Sequence, residues 1–168
     1  MTITDTEATE PPPAEPCDIK VRFAALEDMP ACAMILNNWI DETPWMPRVH
    51  NPADVVRHYR ETVFPYEQTL VARQGEILLG FCTLSGENYI SALYIAPAGR
   101  GRGIGKRLVD RARSLAPEGL RLWTFQANDG ARRFYAREGF REVRRTEGDN
   151  EEKLPDILLE WKPEGRHA

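Results

Sequence analysis

The sequence predicts an α/β fold, a single domain in which helices and strands alternate. Short segments of strand length that alternate apolar and polar residues recur along the chain. Between them lie segments whose apolar residues recur at helical spacing. A third observation is a glycine-rich, arginine-bearing turn that joins a strand to a helix within residues 89–106. With 168 residues, the chain has the length of one domain with a single core.

The first half of the chain is predicted to contain a strand, two helices and three further strands. Residues 19–24 alternate like a strand, and residues 25–40 carry apolar side chains at helical spacing. After a proline-containing loop, Asn51 is predicted to cap a second helix that has Pro52 at its first position and runs to about Phe64. Three strands follow, at residues 69–73, 76–84 and 89–95.

The second half alternates between helices and strands. Residues 120–125 predict a strand, and residues 128–137 predict a helix that ends at Gly139. The last two strands, at residues 140–145 and 157–161, are joined by an acidic loop. The helix that follows the glycine-rich turn has an apolar stripe made of Ile104, Leu108, Ala112 and Leu115.

The domain is predicted to span residues 17–163. Residues 1–16 are rich in Thr, Glu and Pro and predict a disordered leader, and residues 164–168 form a short tail. The formal net charge of −4 disfavours nucleic acid as a partner. No apolar run approaches the roughly 18 residues of a membrane span, and no signal-peptide pattern opens the chain. We therefore expect a cytoplasmic protein with no membrane partner.

The cysteines predict neither a disulfide framework nor a metal centre. Cys17, Cys32 and Cys82 are odd in number and lack the paired spacing of a zinc site. We therefore expect buried or incidental thiols in a reducing compartment, and no metal.

The segment from Tyr89 to Lys106 combines a strand, three glycines and a helix N-terminus. The first turn of a helix has unpaired N–H groups and the positive end of the helix dipole, which together attract anions. Glycines leave room for a phosphate near the backbone, but their spacing matches neither the dinucleotide fingerprint nor the P-loop. On these residues alone, a phosphate site and a glycine-rich turn that caps a basic helix both stay open. The residues concerned are Arg100, Gly101, Arg102, Gly103, Ile104, Gly105 and Lys106.

A second motif follows the strand at residues 120–125 and reads Asn128-x-x-Ala131-x-x-Phe134-Tyr135-x-x-x-Gly139-Phe140. Asn128 and Tyr135 are two helical turns apart, so they share one face of the helix. This motif resembles the N-x-x-A-x-x-F-Y-x-x-x-G-F pattern of the GNAT (GCN5-related N-acetyltransferase) family. The R-x-x-G-x-G sequence of residues 100–105 resembles the pyrophosphate-binding segment of the same family. Both motifs occur in the family's order, and the resemblance covers roughly residues 19–161.

The resemblance implies the GNAT acyl-CoA N-acyltransferase fold: a central, mostly antiparallel sheet with a parallel splayed strand pair, flanked by about four helices. It also implies acetyl-CoA as the co-substrate, with the pantetheine arm inserted between the two splayed strands. Asn128 would bond the pantetheine amides, and the backbone amide near Ile95 would polarise the thioester carbonyl. The implied cofactor-binding residues are Leu93, Tyr94, Ile95, Arg100, Gly101, Arg102, Gly103, Ile104, Gly105, Lys106, Asn128 and Tyr135.

The family's mechanism is direct attack of a neutral amine on the thioester in a ternary complex, which implies a base and often an acid. Tyr135 matches the family's general acid, and a phenol with an ordinary pKa of about 10 is protonated at neutral pH. Glu87, just before the strand at residues 89–95, and His50, in the substrate-side loop, are the candidate bases. Other interpretations stay open: Glu87 as a hairpin residue, His50 as a flank of the helix cap, and a water chain as the base.

The resemblance places the acceptor pocket beside the helix-to-loop region that holds Trp39, Glu42, Trp45 and His50. Acidic side chains there could attract a cationic amine while the tryptophans enclose its apolar part. The acceptor is therefore expected to be a primary amine of a small molecule or a peptide. A narrower resemblance, through residues 93–97 and the chain length, is to the phosphinothricin acetyltransferase-like small-molecule branch. The loop between the last strands offers a second acidic edge, with Asn150, Glu151, Glu152 and Asp156.

Two other functions stay open on the sequence. One is transfer of a longer acyl group by the same fold, and the other is a non-catalytic module that binds and senses acyl-CoA. A homodimer is also left open.

Overall fold

The computed structural model describes residues 18–86 and 88–164. Its strands are β1 (Ile19–Phe23), β2 (Gln68–Gln74), β3 (Ile77–Ser85), β4 (Tyr89–Ile95), β5 (Leu120–Phe125), β6 (Arg141–Thr146) and β7 (Asp156–Trp161). They form one sheet in the order β1-β2-β3-β4-β5-β7-β6, in which neighbours are antiparallel except for the parallel pair β4 and β5. The predicted disordered leader at residues 1–16, the candidate base Glu87 and residues 165–168 of the predicted tail lie outside the described residues.

The helices that flank the sheet in the described residues are α1 (Met29–Glu42), α2 (Pro52–His58), α3 (Ile104–Leu115) and α4 (Asp129–Arg137), and short 3₁₀ turns lie at Leu26–Asp28 and Pro97–Gly99. The chain continues from α2 through a π-helical segment, Tyr59–Val63, into the helical turn Phe64–Tyr66. Asn51 caps α2 as predicted, because its Oδ1 accepts a 2.8 Å hydrogen bond from the Asp54 amide. The mixed sheet with one parallel pair and four helices confirms the predicted fold.

Helices cover both faces of the sheet, and each face has its own apolar core. On one face, α3 packs through Ile104 and Leu108 against strand residues that include Leu122, and α4 lies on the same side. On the opposite face, α1 and α2 build a second cluster in which Met29 packs near Phe81 of β3. The sheet therefore separates a side that carries α3 and α4 from a side that carries α1 and α2. Within residues 18–86 and 88–164, none of the helices has both the length and the apolar character needed to cross a bilayer.

The parallel strands β4 and β5 separate soon after they begin. Tyr89 pairs with Arg121, whose amide donates a 3.0 Å hydrogen bond to the Asn88 carbonyl. Among the described residues, β4 and β5 form no further ladder pair, although the strands continue to Ile95 and Phe125. The predicted splayed pair is therefore confirmed. Because backbone groups need partners, the edge of β4 that faces β5 is open to a ligand.

A buried carboxylate ties the start of α1 to the sheet. Asp28 is 1% exposed and accepts hydrogen bonds from Arg22 at 2.7 Å, Arg73 at 2.6 Å and the Ala25 amide at 2.7 Å. Burial by itself raises the pKa of a carboxyl group, but these hydrogen bonds outweigh it and hold the pKa of Asp28 below its usual value. The N-terminus of α1 is thereby fixed to the β1–β2 edge of the sheet.

Candidate active site

A cleft of about 780 Å³ opens where β4 and β5 separate. Its walls are the second half of β4, the glycine-rich turn with the start of α3, and one face of α4. Every residue that the sequence predicts to bind the cofactor lines this cleft, with the exception of Arg102. The structure therefore brings the two motifs, which are about 25 residues apart in the chain, to one site.

The turn before α3 presents unpaired amides to the cleft. Gly101 and Gly103 have φ angles of 71° and 73°, in the left-handed region where other residues are strained. Gly103 is the N-cap of α3 and has no side chain to bond the first-turn amides. These N–H groups lie at the positive end of the helix dipole, so they are available to an anion. They fit the diphosphate of acetyl-CoA.

Three cationic side chains near the turn differ in where they point. Arg100 and Lys106 lie at the rim of the cleft. Arg100 is 3.6 Å from the Glu42 carboxylate. Lys106 is 3.4 Å from the Asp110 carboxylate and 3.6 Å from that of Glu138. Arg102 instead donates a 2.8 Å hydrogen bond to the side chain of Gln74 and a 3.3 Å hydrogen bond to the Ala98 carbonyl. A cofactor-binding role for Arg102 would therefore depend on its backbone and not on its guanidinium.

Asn128 and Tyr135 face the cleft from α4, as their spacing predicts. The Asn128 Oδ1 accepts a 3.1 Å hydrogen bond from the Ala131 amide and caps the helix. Its Nδ2 group has no hydrogen-bond partner among the described residues, so it can donate to a ligand carbonyl. The Tyr135 ring is 6% exposed and lies two turns further along the helix.

The buried phenol of Tyr135 has a raised pKa. Burial is the main cause, and the nearby Cys82 and Tyr94 add to it. Tyr135 is therefore a neutral hydrogen-bond donor throughout the neutral pH range. Because its pKa also exceeds the value of about 8.5 of a free thiol, complete proton transfer to a thiolate would be uphill. Such a phenol suits a hydrogen bond to a leaving sulfur better than full protonation of it.

A chain of aromatic rings leads from the cleft to the opposite side of the sheet. The ring centroids are 5.2 Å apart for Tyr94 and Trp39, 5.8 Å for Trp39 and Trp45, and 5.8 Å for Trp45 and Phe125. Trp39 is half-buried and also lines the cleft. The two tryptophans predicted at the acceptor pocket therefore lie side by side next to the proposed cofactor cleft.

Two further cavities continue the cleft across the sheet. A narrow space of about 80 Å³ between β4 and β5 shares Tyr94 and Tyr135 with the cleft. It also shares Trp123 and Phe125 with a cavity of about 390 Å³ that the loop between β6 and β7 borders. The three spaces follow one another across the gap between the splayed strands and share lining residues, and we call this series of spaces the transfer passage. Its outer end, the cavity of about 390 Å³ beside the loop between β6 and β7, is the distal cavity.

Sequence reasoning missed Trp123 and Phe125 as site residues. In β5, Leu120 and Leu122 are buried on the α3 side, whereas Trp123 is 38% exposed on the other side. The alternation in residues 120–125 does indicate these two residues, because large aromatic residues at positions that face away from the core are candidates for ligand contact.

The candidate base His50 lies away from the transfer passage. Its Nε2 is 3.1 Å from the Glu151 carboxylate, its side chain is 58% exposed, and it lines none of the three spaces. The contact joins the loop after α1 to the loop between β6 and β7. Glu42 pairs with Arg100 at the rim of the cleft, and Glu87 lies outside the described residues.

The two cysteines in the described residues are buried free thiols, as expected. Burial raises the pKa of Cys32 and of Cys82 to about 12, so neither is a thiolate at neutral pH. Across the part of the chain that the structure describes, no group of three or more His, Cys, Asp or Glu side chains is arranged to hold a metal ion.

A mixed sheet whose parallel pair splays open beside a glycine-capped helix defines the acyl-CoA N-acyltransferase class of fold. Solved structures agree with this class. The solution structure of apo-form YjaB from Escherichia coli has a TM-score of 0.69 at 29% identity, over 85% of this chain and 97% of that one. The structure of yncA from Salmonella typhimurium with its cofactor acetyl-CoA has a TM-score of 0.67 at 18% identity, over 89% of this chain and 96% of that one.

Sequence comparisons point to the same class of protein. The model of the acetyltransferase (GNAT) domain matches residues 65–142. The peptidyl-lysine N-acetyltransferase YiaC from Escherichia coli is 29% identical over 144 residues, which cover 84% of this chain and 95% of that protein. The peptidyl-lysine N-acetyltransferase YjaB from Salmonella typhimurium is 44% identical over 72 residues, which cover 43% of this chain and 48% of that protein. The family model and these relatives bear out the resemblance to GNAT acetyltransferases that the two motifs predict. The narrower resemblance to the phosphinothricin acetyltransferase-like branch stays a prediction.

Proposed function

We propose that this protein transfers the acetyl group of acetyl-CoA to a primary amine, and that this amine is the side chain of a peptidyl lysine. The observation that carries the proposal is the transfer passage, which joins the cleft beside the glycine turn to a separate aromatic cavity. Direct transfer in a ternary complex needs two substrates that enter from different sides and meet in the middle. The names of the relatives YiaC and YjaB support lysine as the acceptor.

The cleft fits acetyl-CoA through backbone and side-chain amides that have no partner among the described residues, and through two cations at its rim. The first-turn amides after Gly103 would hold the pyrophosphate, and Arg100 and Lys106 would add positive charge. The open edge of β4 at residues 93–95 would bond the pantetheine arm much as an added strand does. The Nδ2 group of Asn128 would donate to a pantetheine carbonyl.

Bound acetyl-CoA supplies a thioester whose carbonyl carbon is attacked by the neutral amine. The backbone amide near Ile95 would donate to the carbonyl oxygen, where negative charge develops. The Tyr135 hydroxyl would donate a hydrogen bond to the sulfur as the carbon–sulfur bond breaks. The acceptor must also lose a proton, and His50, Glu87 and a water chain stay candidates for the group that takes it. The products are an acetylated amine and coenzyme A.

Acetylation of lysine peptides tests this proposal. N-terminally blocked peptides with a single lysine are incubated with the protein and acetyl-CoA, thiol release is followed, and the products are identified by mass spectrometry. Acetyl-lysine above the uncatalysed background supports the proposal, and matched peptides with norleucine in place of lysine serve as the control. A parallel series with longer acyl-CoA thioesters measures the acyl preference.

Two results would contradict the proposal in different ways. Transfer to small-molecule amines but not to any lysine peptide would overturn the choice of acceptor. Thermal stabilisation by acetyl-CoA without thiol release for any amine would favour the non-catalytic acyl-CoA-binding module.

A further inference from the structure

The distal cavity is lined by aromatic and acidic side chains and by one cation, Arg144, whose guanidinium lies 5.1 Å from the centroid of the Trp123 ring. Trp123 and Phe125 form its wall on β5, and Glu152 and Asp149 border it from the loop between β6 and β7. Aromatic faces next to carboxylates suit an alkyl chain that ends in a cation, since the rings take the chain and the carboxylate takes the charge.

The carboxylates of the loop and its flanks differ in whether they already have a partner. Asp156 is buried and accepts hydrogen bonds from the Thr146 hydroxyl and, at 3.0 Å, from the Asn150 side chain. Glu151 contacts His50 at 3.1 Å. Glu152 is half-buried and forms no ion pair or hydrogen bond with any residue of the described chain. A half-buried carboxylate without a counter-charge is stabilised by a cation brought to it.

Glu152 lines the distal cavity together with Trp123 and Phe125, and these two aromatic residues also line the narrow space between β4 and β5. Burial raises the pKa of Tyr94 to about 12, and the negative charge of Glu152 contributes to the rise. Tyr94 lines both the narrow space between β4 and β5 and the cofactor cleft. A cation bound at Glu152 would occupy the cavity that adjoins this narrow space.

We propose that Glu152 binds the ammonium group of the acceptor lysine and so determines the preference of the enzyme for cationic primary amines. The inference rests on the proposed function, because it names the group that recognises the acceptor of that reaction. Trp123 and Phe125 contact the aliphatic part of the lysine side chain, and Glu152 holds its charged end beside the transfer passage. Glu152 is a binding and positioning residue, and the removal of the ammonium proton is left to a separate group.

The test compares Glu152→Gln with wild type on two acceptors. The first is a lysine peptide, and the second is the same peptide with a hydrazide side chain, whose terminal nitrogen is neutral at pH 7. For the lysine peptide we expect kcat/KM to fall about tenfold to hundredfold, mainly through KM, because a charge-assisted hydrogen bond is lost. For the hydrazide peptide we expect a change of no more than about twofold, because no charge is recognised. The Kd for acetyl-CoA should stay within about twofold of wild type.

Glu147→Gln is the matched control, since Glu147 is exposed in the same loop and does not line the distal cavity. It should behave like wild type on both acceptors. An unchanged kcat/KM of Glu152→Gln for the lysine peptide would overturn the inference and leave the proposed function intact. Equal losses on the charged and neutral acceptors would also overturn it, because they indicate a structural effect. If wild type acetylates no amine, the proposed function fails and the inference falls with it.

Discussion

The ring of Phe134 on α4 lies directly against Gly105 in the first turn of α3, so that a β carbon at residue 105 would lie 3.1 Å from the ring. That separation is shorter than ordinary van der Waals contact, so a side chain at residue 105 would move the ring by a few tenths of an ångström. Both residues line the cofactor cleft. Gly105 therefore allows α3 and α4 to approach each other without narrowing the cleft.

Gly105→Ala should weaken acetyl-CoA binding by about tenfold, because the displaced Phe134 ring intrudes on the cleft. The fold should persist, since alanine is a good helix former and the added volume is one methyl group. Isothermal titration calorimetry gives the Kd, and thermal unfolding checks the fold. In a Phe134→Leu background the same glycine substitution should have less effect, since the ring is gone. Equal effects in both backgrounds would contradict the role of this contact.

Lys106→Gln should weaken acetyl-CoA binding by about twofold to fivefold, because the lysine is exposed at the cleft rim and such a charge contributes up to about 1 kcal/mol. The difference from wild type should shrink at high salt, which screens exposed charges. Binding is measured at low and high ionic strength. Lys20→Gln, on the distant strand β1, is the matched control and should leave the Kd unchanged. A Lys106 effect that persists at high salt would argue against a simple charge contribution.

Tyr135→Phe should reduce kcat by about tenfold to hundredfold, because the leaving thiolate loses its hydrogen-bond donor. The Kd for acetyl-CoA should stay within about twofold, since the ring and its packing are retained. Steady-state kinetics on a lysine peptide, together with a binding titration, separate the two effects. Tyr59→Phe removes a similarly buried phenol from the α1 and α2 side of the sheet and should not change kcat. Unchanged turnover in Tyr135→Phe would remove Tyr135 from the mechanism.

Much of the fold was predictable because its signals are local. The strands β4 and β5 have the bounds that their alternation predicts, and Gly139, at a φ of 86°, ends α4 in the left-handed conformation expected of a glycine. The π-helical segment Tyr59–Val63 was not predictable in the same way. Both of its end residues are buried in the second core, so tertiary packing and not local propensity accounts for this segment.

The site was predictable only where a short motif carries it. The glycine turn and the Asn128 motif locate the candidate cofactor cleft, but the direction of each cation depends on residues far away in the sequence. Arg102 bonds Gln74, which is 28 residues away, and Arg100 meets Glu42. The distal cavity likewise forms only when β5 and the loop between β6 and β7 come together in the sheet. No local sequence pattern shows that Glu152 has no ion-pair partner among the described residues.

Asp28→Asn should destabilise the protein by about 2 kcal/mol at pH 7. The substitution leaves Arg22 and Arg73 without their shared buried counter-charge. The effect is smaller than the roughly 3–5 kcal/mol of a fully buried pair because the Arg22 side chain is 46% exposed. Urea unfolding measures the free energy of unfolding. Asp41→Asn breaks an exposed pair with Arg48 and should change stability by less than about 1 kcal/mol.

The same substitution should also alter the pH dependence of stability. The folded pKa of Asp28 lies below the unfolded value of about 3.9, so in acid the unfolded state takes up the proton first. The contribution of Asp28 is therefore present in full above about pH 5 and is lost as the pH falls through the folded pKa. Wild type should lose more stability than Asp28→Asn between pH 5 and pH 2, so the two free energies of unfolding converge in acid. A difference that stays constant over this range would mean that the asparagine acts through packing and not through the lost charge.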